Sequence, residues 1–242
     1  MSDRHREQAH VPAGHRVLAL VEVMDTLRRR CPWDAEQTHA SLAKYLIEEA
    51  YETLETIEHG DLGTLREELG DVLLQVVFHA RIAEERGPEG FTIDDVADAI
   101  IDKLTRRHPH VFGEVDVAGV DDVRANWETI KAAERADRGQ HDASVLEGVP
   151  FGQPAALLGY ELQKRAVRNG FPEDLIGDDG GPGGELFAAV NAERRRAADP
   201  EMDLRAAARR FDQRVRAAEA KARADGRDPR RLTPEQWRAY WE

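Results

Sequence analysis

The sequence predicts an all-α protein. Three observations carry that expectation. Apolar residues recur at i, i+3, i+4 and i+7 through several long stretches. Most glycine and proline signals fall between those stretches, as at Pro32, Gly60, Gly87-Pro88 and Pro109. No alternating run of strand length and no hairpin signal interrupts them.

Val17, Leu20, Val21, Met24 and Leu27 mark one face of a first helix, and Pro32 in CPWD (31–34) stops it. A second helix is expected from about Leu42 to Ile57, with Ile47, Ala50, Leu54 and Ile57 on one side. His59-Gly60-Asp61 forms a turn. A third helix, about Leu62 to Glu85, carries Leu65, Leu69, Val72, Leu73, Val76 and Ala80, and Gly87-Pro88 ends it. Thr92 is placed to cap a fourth helix that runs to Arg107 before Pro109. A fifth covers about Val120 to Arg135.

Residues 136–157 are polar and turn-rich and form a connector. Beyond it, a short helix is expected at 160–168 and longer ones at about 185–197 and 201–224. Residues 177–184 are too rich in glycine for regular structure. A weak internal repeat links 68–87 to 183–200 and the helices that follow each. The expected organisation is therefore a terminus at 1–14, a helical domain at 15–135, the connector at 136–157, and a shortened, degenerate second helical unit at 158–242.

Composition narrows the function classes. The 242 residues carry 34 Lys+Arg and 47 Asp+Glu, a net charge of −13. The charge is uneven: residues 1–160 hold 31 acids and 17 Lys/Arg, a balance of −14. An acidic first part argues against stable nucleic-acid binding, because phosphate backbones need cationic contacts. Cys31 is the only cysteine, which excludes an intramolecular disulfide and a cysteine zinc site. No apolar run approaches a membrane span, and the first residues lack the apolar segment of a signal peptide. A cytoplasmic location is expected.

The strongest chemical signal is Glu48-Glu49-x-x-Glu52 on the second helix and Glu68-x-x-Asp71 on the third. Residues three and four apart share a helix face. The intervening turn would fold the two faces together, and such crowding repels unless a cation neutralises it. Glu-rich helices are often just solvated faces. Those faces usually mix in lysine at i+4, yet Ile47 to Glu58 contains no basic residue. Hard oxygen ligands select Mg²⁺, Mn²⁺ or Ca²⁺ over zinc. Gly70 sits in mid-helix, where a close helix or ligand approach would account for it.

A second signal is basic. Lys103 and Arg107 are i, i+4, with Arg106 beside them and His108-Pro-His110 after them. They suit phosphate oxygens, and equally they suit the negative end of a helix dipole. Trp127 and Lys131 are again i, i+4, fit either for base stacking with a phosphate clamp or for a core. There is no P-loop. The stretch from Arg66 to Gly70 resembles a Nudix box only weakly, without that fold's strands. Glu36-x-x-His39 is an isolated fragment of a di-iron motif.

CPWD, EEAYE, EELGDVLLQVVFHA, DKLTRRHPHVFG and NWETIKAAE, in that order, resemble the MazG family of nucleoside triphosphate pyrophosphohydrolases. The resemblance covers about 15–171 closely and the rest loosely. It implies a four-helix unit that assembles as a homodimer. It also implies Mg²⁺-dependent hydrolysis of nucleoside triphosphates to monophosphate and pyrophosphate and a role in housecleaning of the nucleotide pool; little base-specific chemistry is visible in the sequence, so broad base specificity is expected. Residue by residue, it implies Glu49, Glu52, Glu68 and Asp71 as metal ligands; a carboxylate not fully committed to metal, Glu52 or Glu49, would be the catalytic base. Glu48, Lys103, Arg107, Trp127 and Lys131 would serve the nucleotide.

The second half departs from the family pattern. It has no second E-E-x-x-E helix, although Arg210, Arg214 and Trp237 match the basic and aromatic positions. Activity is therefore expected in the first unit. The alternative is a non-catalytic nucleotide-binding regulator.

Overall fold

The computed structural model describes residues 14–120, 122–123, 126–127, 129–130, 134, 144–177 and 179–241. The described elements are helical, with no strand among the described residues. The chain divides into two compact units, Met1–Glu134 and Arg135–Glu242.

In the first unit, α1 spans His15–Arg30. It ends at Cys31, whose extended backbone (φ −94°, ψ 118°) is the conformation a following proline favours. Pro32 also opens a short helix, α2 (Pro32–Glu36), because a first-turn position needs no backbone N–H. Helix α3 spans His39–His59 and so begins before the expected Leu42. The cause is a reciprocal cap: Ser41 N donates to Thr38 Oγ1 at 3.1 Å, and Thr38 N donates to Ser41 Oγ at 2.9 Å.

Gly60, at φ 76°, closes α3 in the left-handed conformation that glycine tolerates best. Asp61 Oδ1 then accepts from Gly63 N at 2.9 Å and starts α4, Leu62–Glu84. Helix α5, Ile93–Arg107, carries the expected Thr92 cap, completed by Asp95. Pro109 does not simply close α5 but opens a short α6, Pro109–Phe112. The described residues between 120 and 134 that follow are helical. Residues 1–13, the bulk of the expected terminus, lie outside the described residues.

Met24, Leu42, Val77 and Phe78 are buried together, with Leu20, Val21, Tyr45, Leu73, Leu74, Ile82 and Ile93 packed around them. The expected face of α3 needs correction. Leu42 and Tyr45 meet the core, whereas Ile47 and Ile57 remain 59% and 56% exposed. On α4, Leu69 and Val76 are likewise exposed, and Val77 and Phe78 do the packing. Both helices carry apolar residues on more than one side, so periodicity alone could not say which side meets the buried cluster.

Charged groups fix α1 against α4. Arg28 gives Nε and Nη2 to the two oxygens of Glu85 at 2.8 and 2.9 Å, and its side chain is only 9% exposed. Arg81 Nε reaches Asp25 Oδ1 at 3.0 Å. At the start of α3, His39 Nδ1 and His79 Nδ1 are 2.8 Å apart. Their rings are coplanar within 2°, with centroids 5.1 Å apart. That is the spacing of two imidazoles joined edge to edge by one N–H···N bond, not of rings stacked face to face. Burial, and then the charge of His39, hold His79 below the ordinary histidine range.

The second unit contains α7 (Ala155–Arg168), α8 (Gly184–Arg195), α9 (Pro200–Ala224) and α10 (Pro234–Trp241). Helix α7 starts earlier than the expected residue 160, immediately after Pro154, so residues 155–157 are helix rather than connector. Buried Gln163 donates to Phe187 O at 2.8 Å and ties α7 to α8. The guanidinium of Arg214 lies 4.3 Å from the ring centroid of Trp241, so Arg214 partners that ring rather than standing free for a ligand. The described residues of 177–183 are irregular, as expected from their glycines.

Candidate active site

Helices α3 and α4 fold back on each other about Gly60, and Glu49 lies as far before that turn as Asp71 lies after it. The hairpin therefore brings their side chains level. Glu49, Glu68 and Asp71 each offer a carboxylate oxygen, and the three oxygens lie within 4.8 Å of one another. Glu52 stands outside that trio but close enough to hydrogen-bond with Glu68. Glu48 is exposed and acts on Glu49 through its charge.

Among the described residues, the charges acting on this cluster are those of its own acids. Glu49 is pushed above the usual carboxylate range, first by partial burial and then by Asp71, Glu52, Glu48 and Glu68. Glu68 is raised by desolvation, then by Glu52, Asp71 and Glu67. Raised carboxylates leave stability fully present below their unfolded value near 4.5 and erode it as pH rises through the folded values. At neutral pH the cluster thus opposes folding, and a divalent cation would offset that cost.

The donor set fits such a cation. Hard carboxylate oxygens suit Mg²⁺ or Mn²⁺. Mg–O bonds of about 2.1 Å let two ligand oxygens stand at most about 4.2 Å apart. Only one pair of three such ligands can stand opposite and neighbouring ones lie about 3.0 Å apart, so the three carboxylates would have to draw together to share one ion.

Gly70 lies between two members of the trio. A Cβ built there meets nothing within 4 Å, so a close helix approach within this chain is not the reason for the glycine. Gly70→Ala is accordingly expected to stabilise the unliganded protein by up to about 1 kcal/mol, measured by urea denaturation. If the open space is instead needed by a ligand, the same variant should bind nucleotide more weakly.

The basic and aromatic residues are arranged less simply. Lys103 is exposed on α5. Arg107 is half-buried and bound to Glu134: Nη2 to Oε2 at 2.6 Å and Nε to Oε1 at 3.4 Å. Arg106 Nε joins the same Oε1 at 2.8 Å. The two guanidiniums drive the Glu134 carboxyl down to about 2. Trp127 packs edge-on against His108, with ring centroids 5.2 Å apart, and its Nε1 is buried without a partner among the described residues. Lys131 lies outside the described residues.

The sequence reading missed Glu134. A signal for it existed, because Trp127, Lys131 and Glu134 stand at i, i+4 and i+7. No helix among the described residues is long and apolar enough to cross a membrane.

Comparisons with known proteins bear on this hairpin directly. Residues 37–112, which include α3, α4 and α5, match the MazG nucleotide pyrophosphohydrolase domain. The chain is 49% identical over 209 residues to an uncharacterized 26.1 kDa protein of Streptomyces cacaoi, covering 85% of this chain and 84% of that protein. It is 41% identical over 239 residues to a nucleoside triphosphate pyrophosphohydrolase of Mycolicibacterium smegmatis, covering 94% and 70%. It is 35% identical over 253 residues to a nucleoside triphosphate pyrophosphohydrolase of Escherichia coli K12, covering 94% and 95%.

Proposed function

The chain belongs to the MazG nucleotide pyrophosphohydrolase family, and from that premise we propose that it hydrolyses nucleoside triphosphates to nucleoside monophosphate and pyrophosphate at the α3–α4 acid cluster. The single observation that carries the reading is the convergence of Glu49, Glu68 and Asp71, with only other carboxylates among the described residues acting on Glu49 and Glu68 through their charge.

In this reading the trio, with Glu52 beside it, holds Mg²⁺, or Mn²⁺ in its place. When bound, the cation neutralises phosphate oxygens and lowers the pKa of a water. The water oxygen forms a new P–O bond, the α–β anhydride bond breaks, and pyrophosphate leaves. Glu52, outside the close trio, accepts the water's proton. Glu48 borders the nucleotide, Lys103 and Arg107 bind the phosphates being released, and Trp127 with Lys131 holds the nucleoside. The reading extends to broad base specificity and a housecleaning role in the cytoplasm.

We further infer a homodimer. Leu46, Ile47, Tyr51, Leu69 and Val76 leave α3 and α4 with exposed apolar side chains close to the acid cluster, more than a lone helical hairpin usually shows to water. Light scattering is expected to give twice the 27.2 kDa chain mass, and a single-chain mass at micromolar concentration would overturn it.

The test of the activity is pyrophosphate release from a panel of nucleoside triphosphates with and without Mg²⁺, repeated with Glu52→Gln. Release that needs the cation and falls by roughly 100-fold or more in the variant is expected. A wild-type protein that binds nucleotide and releases nothing would establish the regulator instead. A fully active Glu52→Gln would remove Glu52 as the base and leave the enzyme.

A further inference from the structure

We propose that Glu134 is a positioning residue for triphosphate binding, which holds Arg107 by one edge so that its other edge faces the phosphates. The proposal rests on the reading above, in which Arg107 serves the triphosphate.

A guanidinium has five N–H donors arranged on distinct edges. Glu134 occupies the side edge of Arg107, taking Nε–H and one Nη2–H. The Nη1 hydrogens and the second Nη2 hydrogen remain, which is the end-on edge that meets a phosphate as a two-point fork. An arginine without such a partner samples many rotamers, and fixing it at binding costs entropy. Here the cost is met at folding, because the Glu134 side chain is only 13% exposed and sits 27 residues along the chain from Arg107. The long-range bond fixes the end of α5 against the helical segment that carries Trp127.

Charge does not cancel in the arrangement. Among the described residues Arg106 and Arg107 share the one carboxylate of Glu134, an excess of one positive charge that would attract an anion. The same sharing keeps the bond in place through any ordinary pH, since Glu134 stays ionised down to about 2. A carboxylate placed only to stabilise the fold would do as well with both guanidinium edges covered. This one leaves the phosphate-matching edge uncovered by Glu134.

The test is a double-mutant cycle between Glu134→Gln and Arg107→Lys. Two readouts are followed: KM and kcat for hydrolysis, and calorimetric affinity for an α,β-methylene nucleoside triphosphate with Mg²⁺. In the wild-type background Glu134→Gln is expected to raise both KM and the analogue's Kd by roughly tenfold, with kcat changed less than about twofold. In the Arg107→Lys background the same change is expected to do almost nothing, because the group it orients is gone.

A tenfold loss of affinity in both backgrounds would overturn the proposal, as would a lowered melting temperature with unchanged affinity. The analogue reads positioning even if hydrolysis fails. An inactive wild type whose analogue affinity still shows the coupling would refute the enzyme reading and keep the inference. An active wild type without coupling would do the reverse.

Discussion

Glu49→Gln is expected to lower kcat for triphosphate hydrolysis by on the order of 100-fold or more, while raising the melting temperature of the metal-free protein. The two effects share one cause. Glu49 is raised first by burial of its charge and then by four neighbouring carboxylates. An amide removes both penalties, so the unliganded fold gains. It also removes an anionic ligand from the trio with Glu68 and Asp71, so the cation is held less well.

The sign of the pH dependence follows. In the wild type without metal, stability should decline as pH rises from about 4.5 through the elevated folded values, and the decline should shrink in the variant. Saturating Mg²⁺ should raise the wild-type melting temperature by more than that of Glu49→Gln. Thermal denaturation with and without Mg²⁺ at several pH values, set beside kcat, checks all three. A variant that loses activity and also loses stability without metal would point to an ordinary structural glutamate.

The largest effect on folding is expected from Phe78→Ala. Phe78 is 3% exposed and packs with Met24, Leu42 and Val77 where α1, α3 and α4 meet. Truncation removes most of an aromatic side chain from a closed cluster, for a cost of about 3–5 kcal/mol. Much of the stability of a domain of this size would be lost. Leu69→Ala, on the same helix, gives the contrast. Leu69 is 51% exposed, so its truncation should cost far less at concentrations where the chain is a single copy. If a second copy covers Leu69, its cost should grow with protein concentration, whereas the Phe78→Ala cost should not. Urea titrations at two protein concentrations separate the cases.

Much of the first unit was legible because local rules dominate it. Pro32, Gly60, Thr92 and the residues around them set helix ends through backbone geometry that acts within a few residues. The acid cluster was legible for the same reason. Helical spacing puts Glu68 and Asp71 on one face, and a short turn returns α4 alongside Glu49. The helix starts at His39 and Ala155 were missed because the cues were a Thr38–Ser41 cap and a single proline outside the apolar pattern.

Other features were decided by the tertiary structure alone. Of the acids, sequence made Glu49, Glu52, Glu68 and Asp71 equal candidates. Three-dimensional packing put Glu49, Glu68 and Asp71 within 4.8 Å and left Glu52 beside them. The reason is that spacing fixes the angle of a side chain about its own helix axis, while the distance between carboxylates depends on how the helices pack. The same limit hid Glu134, whose partners lie 27 and 28 residues away along the chain. It hid the buried side of α4 as well, since apolar residues ring that helix and only packing against α1 and the start of α3 selects Val77 and Phe78 over Leu69 and Val76. The sequence by itself determined the helices, the turn and the kind of chemistry. The tertiary structure decided which acids converge and which edge of Arg107 Glu134 takes, because both depend on distances between elements that no local spacing encodes.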